Sequence, residues 1–457
     1  MIHPYIGLTE EEVKLMLQEM GLDSIDKLFE DIPSRYFLKK SSKYSKPLSE
    51  WEVRTHIKNI LSKNRVLFYG RLFIGGGVWP HVVPSIVREL LKRGEFYSSY
   101  TPYQPEVSQG VLQALFEYQS LMAELLDVEV VNASMYDWGT ALGEAFRMAK
   151  RVTGRNKILY PHYISPERLE IAETYTEPSK IKLEEYAQNI NDGRIDIGDL
   201  EEKIGEDVAA VYVEYPSYLG FIPLNIKKAG EIAHDHGALF IIGVDPTILG
   251  IFQSPGKLGA DIVVGEGQPL GLPMNFGGPL LGIMGCRMDI KLIHQLPGRL
   301  IGMTSTIKGE RAFTMILQAR EQHIKREKAT SNICTNQALC AIATAIYLSL
   351  LGKNGFKKLG EQILARTKYM MEQLSRIDGV EAPLFKTIHF KEFTYRVKGK
   401  NSSKVILEMM EKGIMAGICV GKWFKELGES ILTCTTEVHS KEDIDHYVKS
   451  LREVLEK

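Results

Sequence analysis

The sequence predicts an α/β fold with a large, mostly parallel sheet covered by helices on both faces, followed by a smaller C-terminal α+β domain. Three observations carry this expectation. Apolar, β-rich runs recur at 209–213, 239–244, 262–264 and 280–284, and 226–236 has helical periodicity between the first two. Beyond about residue 355, short strand-like runs at 393–397 and 431–435 alternate with helical runs at 405–412 and 441–455. The chain has 457 residues, room for two or three domains at about 150 residues each. In sheets of this kind the site lies beyond the carboxyl ends of the strands, so the residues just after each apolar run are the candidates.

The N-terminal 1–65 reads as a helical arm. Thr9 with Glu12 and Ser49 with Glu52 are capping boxes, each followed by apolar residues at one-face spacing, and Gly21 stops the first helix. A polar connection over 37–50 separates the two helices. Residues 66–330 are assigned to the large α/β domain and 331–457 to a linking helix and the smaller C-terminal domain. The stretch 312–351 reads as mainly helical with a polar break near 328–332, after which Asn332 or Thr335 caps the next helix.

Composition removes several classes. Lys and Arg total 56 against 57 Asp and Glu, a net charge of -1, which argues against nucleic acid as a partner. Five cysteines at 286, 334, 340, 419 and 434 form no C-x-x-C pair, so neither a disulfide framework nor a cysteine metal site is expected, and a reducing cytoplasm fits. The start, MIHPYIGLTEEEVKL, lacks a basic stretch followed by an apolar run. The apolar run 338–351 is too short to span a bilayer and reads as a buried helix, so no membrane is expected as a partner.

Three strand ends hold candidate chemistry. In 130–154, VVNASMYDWGTALGEAFRMAKRVTG, a short strand turns into a helix whose N–H groups could take a phosphate. Gly139 and Thr140 suit that role. Asp137 does not, because it would repel a dianion and is placed to cap the helix itself. In 238–250, Asp245 ends a strand. Such an acid can pair with a pyridinium nitrogen, or cap the turn before Pro246. In 260–285 no lysine follows the strand at 262–264, and none occurs anywhere from Ala260 to Met288. A Schiff base needs a primary amine, and no other side chain replaces it. GGG at 75–77 reads as a tight turn rather than a phosphate loop. YSSYTPYQPEVSQG at 97–110 is a loop stiffened by prolines that lines a pocket, an interface or its own scaffold. Arg320, His323, Lys325, Arg326 and Lys328 form a basic run, either a solvated helix face or a cluster near an anion.

FYSSYTPYQPEVSQGVLQALFEYQ, NASMYDWGTALGEA, ADIVVGEGQPLGLPMNFGGPLLG and REQHIKREKATSNICTNQALC together resemble the amino-terminal half of the glycine-cleavage P-protein family. The resemblance covers most of the chain to the early 350s and continues more loosely to the end. It implies the aspartate-aminotransferase-like fold of pyridoxal-phosphate-dependent enzymes, fold type I. In that family two homologous halves exist, and only the carboxy-terminal half carries the coenzyme lysine in a histidine-lysine-threonine motif. Here Gln268 stands for the histidine and Pro269 for the lysine. Pro269 offers no amine, so no catalytic residue is assigned and no coenzyme is expected in this chain. Asp137, Gly139, Thr140, Asp245 and Gln268 are read as a vestigial pocket. Where the family has glycine and alanine after its Tyr-Asp pair, this chain has Trp138 and Gly139, and the indole helps to fill that pocket.

The resemblance implies a subunit of a heteromeric glycine decarboxylase. Its lysine-bearing partner subunit would hold pyridoxal phosphate, and the aminomethyl group of glycine would pass to the lipoyl arm of H-protein, with two copies of each subunit. Thr101, Tyr103, Asn132, Ser134 and Tyr136 are the candidates for lining the shared pocket or interface. Two rivals stand beside this reading: a self-sufficient pyridoxal-phosphate enzyme using another lysine, such as Lys422 in GICVGKWF, and a regulatory scaffold.

Overall fold

The computed structural model describes residues 5, 7–37, 47–97, 99 and 101–456, so 38–46 of the expected connection, and Ser98 and Tyr100 of the aromatic loop, lie outside the described residues. The chain divides into two compact units, 1–66 and 67–457. In the first, helices Glu10–Glu19 and Glu50–Leu61 both begin with the expected capping boxes. Each box satisfies N–H groups that a helix start otherwise leaves without partners.

The second unit holds a seven-stranded sheet built from β1 (Val130–Val131), β2 (Lys157–Pro161), β3 (Lys182–Tyr186), β4 (Val208–Tyr215), β5 (Leu239–Val244), β6 (Ile262–Glu266) and β7 (Gly282–Cys286), in spatial order 1-7-6-5-4-2-3. Strands 3, 2, 4, 5 and 6 run parallel, and β7 is antiparallel to β6 and β1. Every residue of β4 to β7 is buried, which is why these runs read as continuous apolar stretches. Successive residues still feed opposite faces. Val211, Val213, Phe240, Ile242 and Val263 join the core under helix Gln109–Leu126, while Ala210, Tyr212, Ile241 and Val264 join the core under helix Trp138–Thr153. Burying one such side chain stabilises the fold by roughly 1.5–3 kcal/mol. The sequence reading passes over β2 and β3 because KILYP and KLEEY carry lysines and glutamates, as sheet margins do.

The stretch 312–351 departs from the helical reading. Leu300–Ser305 (β8) and Arg311–Ile316 (β9) form an antiparallel hairpin. Phe313 and Met315 are buried while Ala312 and Thr314 between them are half-buried and Ile316 is exposed, a period of two rather than 3.6. The basic run is α-helical only over Gln322–Lys325, with 3-10 turns at Gln318–Arg320 and Arg326–Lys328. The long helix is Ala338–Leu374, with Gln337 rather than Asn332 or Thr335 at the N-cap position and no side-chain cap there, and Gly352 at φ 56° kinks it. It is long and apolar enough to cross a membrane by length and composition, contrary to the length read for 338–351. Its apolar residues from Cys340 to Leu348 are nevertheless spent on the core beneath the large sheet.

A second sheet contains β10 (Val380–Glu381), β11 (Glu392–Val397), β12 (Ile418–Cys419) and β13 (Ser430–Cys434), all antiparallel in the order 10-11-13-12. Helices Ser402–Glu411 and Lys441–Leu455 cover it through Val405, Met409, Ile444, Tyr447 and Leu451. Phe73 joins this core, donating its N–H to Met415 (2.9 Å) and accepting from the Cys434 N–H (2.9 Å). The segment that follows Phe73 carries Trp79 and His81 across to the ends of β5 and β6.

Candidate active site

Asp245 follows β5 and is 3% exposed. One oxygen accepts the Thr247 N–H (3.1 Å) and hydroxyl (2.7 Å), so the residue does cap the turn that begins at Pro246. Its other oxygen is 2.5 Å from the ammonium of Lys391, a residue sequence reasoning passed over. Lys391 is 1% exposed and comes from the turn just ahead of β11 of the second sheet. Its ammonium also donates to His81 Nε2 (3.3 Å) and Thr247 Oγ1 (3.5 Å), and lies 3.7 Å from the centre of the Trp79 ring. The lysine donor makes His81 Nε2 an acceptor. His81 Nδ1–H then donates to Glu437 (2.8 Å), which also accepts the Val82 N–H (2.7 Å). No spacing in the chain links positions 81, 245 and 391, so only the fold could reveal this cluster.

Glu266 ends β6 and is 2% exposed. It accepts N–H groups from Gln268 (2.9 Å), Leu281 (2.9 Å) and Trp138 (3.3 Å). Asp137 accepts the Thr140 N–H at 2.7 Å and its hydroxyl at 2.8 Å. The start of helix Trp138–Thr153, where a phosphate would sit, is thus already served by two carboxyls. Gly139 plays a packing part there: a Cβ on it would come within 2.6 Å of Ile171. Gln268 is fully buried, receiving the Trp79 N–H (3.0 Å) and donating to the carbonyls of Trp79 (3.1 Å) and Leu272 (2.9 Å). Pro269 is buried in the turn that follows. Lys422 sits on an exposed turn against the Trp423 ring, 3.8 Å from its centre.

Burial, with the charge of Asp137 adding to it, pushes the Glu266 carboxyl up to about 8 from an ordinary 4.5. A raised carboxyl stabilises the folded state fully below pH 4.5 and loses that contribution as pH climbs to about 8. Glu266→Gln mimics the protonated side chain. Its melting temperature relative to the parent protein is therefore expected to improve as the pH rises from about 5 to about 9. A difference that stays constant across that range would mean that Glu266 is ionised throughout.

Gly76, Trp79, Trp138, Arg168, Tyr218 and Glu392 close around the strand ends and leave a cavity of only about 10 Å³. That is about the room one water needs. Arg168 lies 4.0 Å from the Trp138 ring centre and pairs in two-pronged fashion with Glu214 of β4 at 2.8 and 2.9 Å. The residues present do not fit pyridoxal phosphate. There is no amine at position 269, the acid for the ring nitrogen is already paired, the helix start is occupied, and the volume is filled.

A second polar cluster gathers most of the interface candidates. Arg299, 3% exposed, pairs with Glu321 (2.9 Å) and donates to the Tyr103 hydroxyl (3.0 Å) and the Cys334 carbonyl (2.5 Å). The Ala133 N–H donates to the Arg299 carbonyl (2.8 Å), Asn132 donates to the Pro297 carbonyl (3.0 Å), and the Ser134 hydroxyl accepts the Gln337 N–H (2.9 Å). Thr101 joins through the Tyr103 N–H, which its carbonyl accepts at 2.9 Å. Tyr136 instead packs with the hydrophobic cluster around Trp138 and Leu142. Among the described residues, Thr101 Oγ1, Asn132 Oδ1, Arg299 Nε, Glu321 Oε1 and Asn336 Nδ2 are buried without a hydrogen-bond partner.

Residues 3–451 match the family model of the glycine cleavage system P-protein. The chain belongs to that family. It is 50% identical to a protein of Staphylothermus marinus named probable glycine dehydrogenase (decarboxylating) subunit 1, over 99% of this chain and 98% of that one. It is 48% identical to the protein of the same name in Aeropyrum pernix, over the full length of both. A crystal structure of glycine decarboxylase (P-protein) of the glycine cleavage system, in inhibitor-bound form, superposes with a TM-score of 0.89 at 38% identity, covering 99% of this chain and 100% of that one. A sphingosine-1-phosphate lyase of Burkholderia pseudomallei shares the fold alone, with a TM-score of 0.67 at 12% identity over 92% and 94% of the chains. The P-protein fold is the α/β, type I pyridoxal-phosphate architecture expected from the sequence.

Proposed function

We propose that this chain is the lysine-free subunit of a two-subunit glycine decarboxylase, and that a homologous lysine-bearing subunit holds pyridoxal phosphate. The observation that carries the reading is the filled strand-end site, in which the turn after β6 holds Pro269 and no lysine, and Lys391 already neutralises Asp245. The relatives named subunit 1 along their whole length support a division of the enzyme between two chains. In the assembled enzyme, two copies of each subunit decarboxylate glycine and pass the aminomethyl group to the lipoyl arm of H-protein. The few unpaired thiols fit a cytoplasmic setting.

Purified alone and given pyridoxal phosphate and glycine, the chain is expected to show no imine absorbance and to release no carbon dioxide. Mixed with its lysine-bearing homologue, it is expected to give a yellow complex that decarboxylates glycine when H-protein is supplied. Borohydride reduction followed by peptide mapping decides the matter: a reduced coenzyme adduct on a lysine of this chain refutes the proposal.

A further inference from the structure

We infer that Lys391 is a chain-borne substitute for the coenzyme, which turns the vestigial pocket into a keystone joining the small domain to the large sheet. The two ends of the pocket support this independently. At the β5 end, the acid that would face a pyridinium ring faces an ammonium instead, 2.5 Å away, under the face of Trp79. That ammonium has three oxygen or nitrogen acceptors, in Asp245, Thr247 and His81, one for each of its protons. At the other end, Glu266 and Asp137 take the helix-start N–H groups that a phosphate would take. Lys391 at one end and the Asp137 carboxyl at the other thus reproduce, in outline, the charge pattern of the missing group, with Glu266 as a further hydrogen-bond acceptor.

The backbone supports the same reading. Lys391 is held at φ 65°, a left-handed conformation that a side chain with a Cβ resists, so its surroundings must over-determine it. The Thr435 N–H donates to its carbonyl (2.7 Å), and the Phe390 N–H beside it donates to the Gly220 carbonyl (3.1 Å). The ion pair therefore ties the entrance of β11 to the end of β5, while Trp79 and His81 close it from the segment that follows Phe73. A charge buried this deeply is tolerated only with its partner in place, and removing one member of such a pair is far more damaging than removing both.

The inference concerns this chain alone and stands or falls apart from the proposed partner. Thermal denaturation of the full chain and of Lys391→Met, Asp245→Asn and the double variant tests it. Each single substitution is expected to lower the melting temperature by about 5–10 °C, and the double variant to recover most of that loss. Losses that simply add in the double variant would overturn it. So would a rise in the melting temperature of the unsubstituted chain on titration with pyridoxal phosphate or pyridoxamine phosphate, a measurement that holds even if no variant folds.

Discussion

Replacing Arg168 by methionine is expected to destabilise the large domain by about 3–5 kcal/mol, the cost of stranding the partner of a buried ion pair. Glu214 is 1% exposed on a strand whose every residue is buried. Both of its oxygens are taken by Arg168, and among the described residues the other hydrogen bond to its carboxylate comes from the Tyr212 hydroxyl at 3.2 Å. Tyr212 in turn accepts the Trp138 indole N–H (3.2 Å), whose ring carries the guanidinium. Methionine has about the right bulk to rest on that ring but none of the five donors. Urea unfolding of Arg168→Met, Glu214→Gln and the double variant should show the single arginine loss as the worst of the three. Equal stability of Arg168→Met and the parent protein would mean that Glu214 finds other partners and that the pair is incidental.

Gly220→Ala is expected to be more damaging still, above about 4 kcal/mol, with little soluble protein recovered. Gly220 sits at φ +87°, and a Cβ there would lie 2.0 Å from the Glu392 carbonyl oxygen and 2.2 Å from its carbon. Neither atom can move aside, since both are backbone at the entrance of β11, next to Lys391. The methyl group would have to push apart the turn after β4 and the small domain. That combines left-handed strain, about 1–2 kcal/mol, with a rigid clash. Gly399→Ala is the control, at φ +73° with nothing within 4 Å of its Cβ. It carries the strain without the clash, and its loss should stay near the strain alone. Comparable losses at the two positions would show that conformation, and not the domain contact, sets the requirement at Gly220.

Much of the framework was open to view in the residue string. Apolar runs marked β4, β5, β6 and β7 because strands buried on both faces have no polar alternative. The capping boxes at Thr9 and Ser49 marked helix starts because side chain and backbone meet within three residues. Strand β9 was misread as helix because Ala312–Ile316 is short and its alternation shows only against its partner strand β8. Asp137 was legible as a cap for the same local reason that made the boxes legible, whereas Glu266 was not: its three N–H donors come from positions 138, 268 and 281.

Determined by the sequence alone was a chemical absence: no primary amine follows β6, and composition at that turn cannot be altered by folding. Decided only by the tertiary structure was what replaced it. Lys391 lies 146 positions from Asp245 in the chain, by subtraction of their numbers, and looks like any surface lysine until the small domain lays it against the end of β5. Covalent inventory is local and can be read in order. Electrostatic compensation depends on distance in space, and that distance exists only once the turn ahead of β11 has packed against the end of β5.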